Sequence, residues 1–250
     1  MLDGWRLAVG TLTALPVRPP AKVDARTARI AVLLAPPAAL PLGLAVAATL
    51  WLAHRLGLDP LAAGWLAVGA LALGTRAFHL DGLADTADGL TASYDRERSL
   101  AVMKDGSVGP AGVAALLVVL GLQAVGFAGL SDQPVAAGAL VLASRAALAL
   151  ACVRGIPAAA GGGLRAPFAE SLSWPLALLR WVSAAAIAGL VVGLFGMPWQ
   201  SAVIGFAVAT IVVALVIRRA VTRLGGITGD IFGAVIELTL AVVLTAVAAG

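Results

Sequence analysis

The chain has 250 residues, of which 61% are hydrophobic and only 12% charged, with a formal net charge of +4. Its mean hydropathy is +1.00. Soluble domains carry about twice that share of charge, so these proportions exclude an ordinary soluble enzyme, a disordered chain and a disulfide scaffold, and they point to a polytopic membrane protein. The single cysteine, Cys152, excludes an internal disulfide and a CxxC metal or redox site.

The predicted elements follow in chain order. Residues 1–20 carry Arg6 inside their apolar stretch and no positive segment ahead of it, so they do not read as a cleaved signal. Leu2, Trp5, Leu7, Val9, Leu12 and Leu15 predict a short interfacial or re-entrant helix. Seven apolar runs come next: Ala31–Ala53, Leu61–Phe78, Val108–Leu130, Pro134–Cys152, Trp181–Gly196, Ser201–Ile217 and Ile231–Ala249. Each approaches the length needed to cross about 30 Å of hydrocarbon as a helix. Pro36, Pro37 and Pro41 predict that the first is kinked or starts late. The fold class is therefore all-α: one integral membrane domain over residues 1–250, a bundle of about seven transmembrane helices plus the N-terminal helix.

The loops predict orientation. Arg6, Arg18, Lys22, Arg26 and Arg29 precede the first run, and Arg96, Arg98 and Lys104 follow the second. Arg154, Arg165 and Arg180 lie between the fourth and fifth, and Arg218, Arg219 and Arg223 between the sixth and seventh. The intervening loops hold only Arg55. By the positive-inside rule the N-terminus is cytoplasmic and the C-terminus outside. In a membrane chain a basic balance sets orientation, and no basic stripe with interleaved aromatics is present, so nucleic acid is not an expected partner.

The acidic residues gather on the same predicted face. Asp81, Asp85 and Asp88 stand at i, i+4 and i+7 in His79–Leu90. On a helix that spacing confines them to about 60° of arc and about 10 Å of length. Three carboxylates on one stripe repel unless a cation neutralises them, and hard oxygen ligands favour Mg²⁺ or Ca²⁺ together with substrate phosphates. The bland alternative is a solvated acidic loop. His79 reads as a general base, a partner of the metal ligands or an interfacial histidine. Lys104 and Asp105 open the third run, where Asp105 is either an ordinary helix cap or a further metal or phosphate group. Gly225, Gly226, Thr228, Gly229 and Asp230 form a turn at the start of the seventh run, where glycines and a helix N-terminus suit an anion and simple capping is the alternative. Arg145 and Glu237 lie inside spans, either paired with each other or lining a polar cavity that takes substrate. Arg154, Gly161–Gly163 and Arg165 form a basic loop whose arginines grip phosphates or merely mark the inner face.

In order and spacing, His79–Leu90, Met103–Asp105 and Gly225–Asp230 resemble the cobalamin synthase family, as does the N-terminal stretch ending Leu12–Val17. The resemblance covers essentially the whole chain. One departure is Thr91-Ala92-Ser93, where the family often has several glycines. The resemblance implies an adenosylcobinamide-GDP ribazoletransferase of a bacterial or archaeal inner membrane, using Mg²⁺. Its substrates would be adenosylcobinamide-GDP and α-ribazole or its 5′-phosphate, and its products adenosylcobalamin or its 5′-phosphate plus GMP. On that reading Asp81, Asp85 and Asp88 hold Mg²⁺ on the diphosphate, His79 or Asp105 orients or deprotonates the incoming hydroxyl, and the Gly225–Asp230 turn binds phosphate or completes the metal shell. The lipid bilayer is the expected medium, and self-association into a homo-oligomer is compatible with the chain.

Three rivals share parts of this pattern. A CDP-alcohol phosphatidyltransferase motif opens Asp-Gly-x-x-Ala-Arg, but Asp85 and Thr86 stand where its Ala and Arg belong. An intramembrane prenyltransferase pairs two Asp-rich loops, the first with an Asn that is missing here. An ion channel or transporter using Glu237 and Arg145 leaves the crowded aspartates unexplained.

Overall fold

The computed structural model describes residues 1–92, 94–159 and 166–250. Among the described residues all regular structure is helical, and strand-like pairing is limited to two isolated bridges, Val153 with Leu172 and Ala158 with Ile227. The first helix, α1 (Leu2–Leu12), turns Leu7, Val9 and Leu12 inward, leaves Leu2 and Trp5 exposed, and packs along α2 (Ala25–Ala38). Asp24 starts α2 by accepting the Thr27 backbone N–H at 2.9 Å.

Six helical segments are long and apolar enough to cross a membrane. They are α2 with α3 (Leu40–Arg55), α7 (Pro110–Ala128), α8 (Pro134–Ser144) with α9 (Ala147–Ala151), α10 (Trp174–Leu194), α11 (Trp199–Leu224) and α12 (Gly229–Ala248). A further pair, α4 (Pro60–Gly74) and α5 (Phe78–Ala92), meets at 94° and is either a broken seventh span or a re-entrant loop. The short α6 (Arg96–Val102) follows α5. The multi-pass helical bundle expected from the sequence is thus present, with one correction. The second apolar run is not a continuous span to Phe78, because its helix ends at Gly74. The prolines of the first run mark a break at Ala39, between α2 and α3, but the helix begins early, at Ala25, and not late.

The break between α4 and α5 is built by the backbone. Arg76 and Ala77 both adopt left-handed conformations, with φ of 55° and 56°. Non-glycine residues pay for that geometry, and it persists where surrounding structure imposes it. Thr75 Oγ1 donates back to the carbonyls of Leu71 and Ala72 at 3.0 and 3.2 Å, and Ala77 N–H reaches Ala72 O at 2.7 Å. These bonds satisfy the last carbonyls of α4 and turn the chain sharply into the helix that carries the aspartates.

At the centre stands α12, packed against α5, α7, α8, α9 and α11. Its apolar window is 67% buried and that of α8 with α9 is 72% buried, whereas those of α7 and α10 are 33% buried, so α12 and α8–α9 are central and α7 and α10 are peripheral. The end of α5, the start of α7, the end of α11 and the start of α12 share one end of the bundle, because Asp88 reaches Gly109 and Gly112, and Gly82 packs on Asp230. The motifs that were distant in sequence meet there.

Candidate active site

The site begins where α5 crosses α12. At Gly82 a Cβ would sit 2.8 Å from the Asp230 carbonyl oxygen, and at Gly233 one would sit 2.7 Å from the His79 carbonyl oxygen. Each helix thus offers a glycine to the backbone of the other. Small residues allow this approach in an environment where the hydrophobic effect does not drive helices together. The contact carries Asp230 to the aspartate stripe, and the charges of Asp81, Asp230 and Asp88 all bear on Asp85. The stripe is helical as expected and graded in depth: Asp81 is exposed, Asp85 half-buried and Asp88 buried.

Asp88 has a partner that its sequence position did not show. Its two carboxylate oxygens accept the backbone N–H groups of Gly109 and Gly112, at 2.7 and 2.9 Å. It therefore caps the first turn of α7 from another helix. The glycines permit it, since a Cβ at Gly109 or Gly112 would strike the Asp88 carboxylate. Asp105, read from the sequence as a cap of the third run, does not perform that role. It is exposed and accepts the Ser107 hydroxyl at 2.7 Å. Lys104 beside it is also exposed.

The Gly225–Asp230 turn follows the end of α11. Gly225 is left-handed, with φ of 73°, as a helix C-terminus commonly requires. The Arg96 guanidinium lies against it. Gly226 is pressed by the backbone of Pro157–Ala159, where Ile227 N–H donates to Pro157 O and Ala159 N–H to Ile227 O, both at 2.9 Å. The Ile227 N–H is thus spent on protein, and Gly226 serves chain packing. Thr228 is the buried N-cap residue of α12, and its hydroxyl donates to Asp230 Oδ2 at 3.0 Å.

Deeper along α12 lies a polar track. Glu237 accepts the Gln123 side-chain amide on Oε2 at 2.7 Å, and its Oε1 is 3.6 Å from His79 Nδ1. Gln123 also donates to the Glu237 backbone carbonyl at 3.2 Å. Arg145 is wholly buried; its Nη1 donates to Val141 O and Ser144 Oγ, while Nε and Nη2 have no partner. Among the described residues Arg145 and Glu237 form no ion pair within 4 Å, so the direct pairing weighed from the sequence is absent. Each still acts on the other through space.

The profile of CobS, cobalamin-5-phosphate synthase, matches residues 4–248. A protein of Nocardioides sp. named adenosylcobinamide-GDP ribazoletransferase is 53% identical over 249 residues, covering 100% of both chains. Proteins of the same name are 37% identical in Frankia casuarinae, covering 97% of this chain and 93% of their own, and 39% identical in Pseudomonas entomophila, covering 99% of each. The chain belongs to the cobalamin-5-phosphate synthase family. No solved structure matches it.

In this cobalamin-5-phosphate synthase homologue the remaining expected site residues are scattered. Arg154 is exposed next to the bridge that its neighbour Val153 makes with Leu172. Arg165 and the glycines of its loop lie outside the described residues. Gly229 lines a pocket with His79. Two residues of the site escaped the sequence reading. Gln123 was hidden in an apolar run, although a lone amide among hydrocarbon residues was the available signal. Arg96 was read from the sequence as one of the basic loop charges that set orientation, and nothing local in the sequence ties it to Gly225.

Proposed function

We propose that this chain is an adenosylcobinamide-GDP ribazoletransferase of the late cobalamin pathway. It joins the cobinamide phosphate of adenosylcobinamide-GDP to α-ribazole or its 5′-phosphate and releases GMP. The observation that carries the reading is the glycine-mediated α5–α12 crossing, which gathers Asp81, Asp85 and Asp230 at one end of the bundle, in a chain 53% identical to a relative of that name.

The chemistry is attack by a ribose hydroxyl on the phosphorus joined to cobinamide. The new P–O bond forms as the bond to GMP breaks, GMP leaves with the electron pair, and the hydroxyl proton passes to a base. Little covalent work falls to the protein in such a transfer, so positioning and charge neutralisation dominate. Crowded carboxylates with hard oxygen donors fit Mg²⁺. Among the described residues no three His, Cys, Asp or Glu side chains converge as a ready-made cage, and Mg²⁺ needs only one or two carboxylates besides substrate phosphates and water. Asp81 and Asp85 would hold it, with Asp230 beside them. Asp88, included among the ligands on the sequence alone, already has both oxygens on α7, and we assign it to fixing that helix to the stripe. When bound, the metal would neutralise charge on the transferred phosphoryl group and the leaving GMP.

His79 is the group we assign to the proton. Its Nδ1 faces the Glu237 carboxylate, which leaves Nε2 for substrate and steadies the imidazolium that forms. Arg96 supplies a cation against the Gly225 turn. By the positive-inside rule we take this end of the bundle to face the cytoplasm, in an inner membrane as the family resemblance implies. Purified protein in lipid, given adenosylcobinamide-GDP, α-ribazole and Mg²⁺, should release GMP. Folded protein that releases none overturns the reading.

A further inference from the structure

We propose that the pocket between α1, α5, α9 and α12 seats the flat bicyclic base of the ribazole substrate. The inference rests on the ribazoletransferase reading above. The pocket has a volume of about 140 Å³ and walls formed by Leu12, Phe78, Leu148, Phe168, Phe232 and Ile236. The rings of Phe168 and Phe232 lie 5.7 Å apart, tilted by 54°. Two polar side chains, Thr11 and His79, reach it. The Thr11 hydroxyl proton is committed to the Leu7 carbonyl at 2.7 Å, so Thr11 can only accept and His79 is the other side chain left to meet a ligand.

Size and polarity select the occupant. The corrin ring is several times too large. Guanine carries donors and acceptors on two edges, and a pocket with so few free polar groups would leave most of them unsatisfied, at about 1–3 kcal/mol each. A lipid chain suits the walls but leaves the imidazole of His79 buried against hydrocarbon. A benzimidazole bearing two methyl groups is apolar over both faces and its outer edge, and its single unpaired ring nitrogen leaves far fewer groups unsatisfied than guanine would, so His79 Nε2 stays free for the ribose hydroxyl. Gly229 lines the pocket next to Asp230, so a base seated there puts its ribose beside the aspartates.

The test compares α-ribazole with analogues lacking one or both methyl groups, using full-length protein in lipid. In the wild type, kcat/KM for the nucleoside should fall about fourfold for each methyl removed, as burial of one methyl group implies. Ile236→Ala, which enlarges the pocket, should flatten that ratio to within about twofold while leaving KM for adenosylcobinamide-GDP in place. The ratio is internal to each variant, so a lower folded fraction does not move it. Leu148→Trp, which fills the pocket, should raise KM for α-ribazole at least tenfold. The proposal is overturned if an active wild type shows no methyl preference, if Ile236→Ala keeps the wild-type ratio, or if Leu148→Trp expels a co-purified acyl lipid with nucleoside KM unchanged. A wild type that releases no GMP with any nucleoside fails the parent reading instead.

Discussion

Asp85 is half-buried between exposed Asp81 and buried Asp88, and the charges of Asp81, Asp230 and Asp88 all bear on it. Neutralising it removes the group best placed to hold a cation. Asp85→Asn should lower turnover at least about 100-fold, with yield and helix content by circular dichroism unchanged; an active variant refutes the metal assignment. Asp88 differs although it shares the stripe. Its charge is committed to two backbone N–H groups, so its loss is first a loss of structure. The i, i+4, i+7 spacing was legible in the sequence because helical periodicity fixes a face. The division of labour along that face was not, because it depends on which residue meets Gly109 and Gly112 of a helix some twenty positions later.

At the scale of elements, the crossing of α5 and α12 is the joint on which the site depends. A side chain at Gly233 would meet the His79 backbone, which cannot give way as the end of a flexible side chain does. Gly233→Leu should therefore push the helices apart, cost about 1–3 kcal/mol as overpacking does, and abolish GMP release. Thermal unfolding in detergent with a parallel assay checks both; unchanged melting with full activity would show that the crossing is not tight. The sequence reading weighed the Gly225–Asp230 turn as an anion site against simple capping. The structure assigns Gly82 and Gly233 to helix contact and Gly226 to packing on the Pro157–Ala159 backbone, beside the bridge of Ile227 with Ala158. A glycine announces that something approaches closely, and only the partner element says whether that is a ligand or another backbone.

For the whole molecule, the alternation of basic and neutral loops requires an odd number of crossings. The bent α4–α5 pair makes seven if it is one broken span. A C-terminal reporter active only in the cytoplasm should therefore read inactive, and one fused near Lys104 should read active. The reverse pattern, or two equal signals, refutes the orientation.

The sequence by itself determined the class of molecule, a helical bundle in a membrane, because hydrophobicity and helix length are properties of contiguous residues. It also showed where the charge gathers, because charge left in so apolar a chain has few places to lie. Tertiary structure alone decided that the second span breaks at Thr75–Ala77, that Asp88 caps α7, that Gln123 and His79 meet at Glu237 and that Arg145 does not pair with it. The last three depend on distances between helices far apart in the chain, which are set by tertiary packing and not by neighbouring residues.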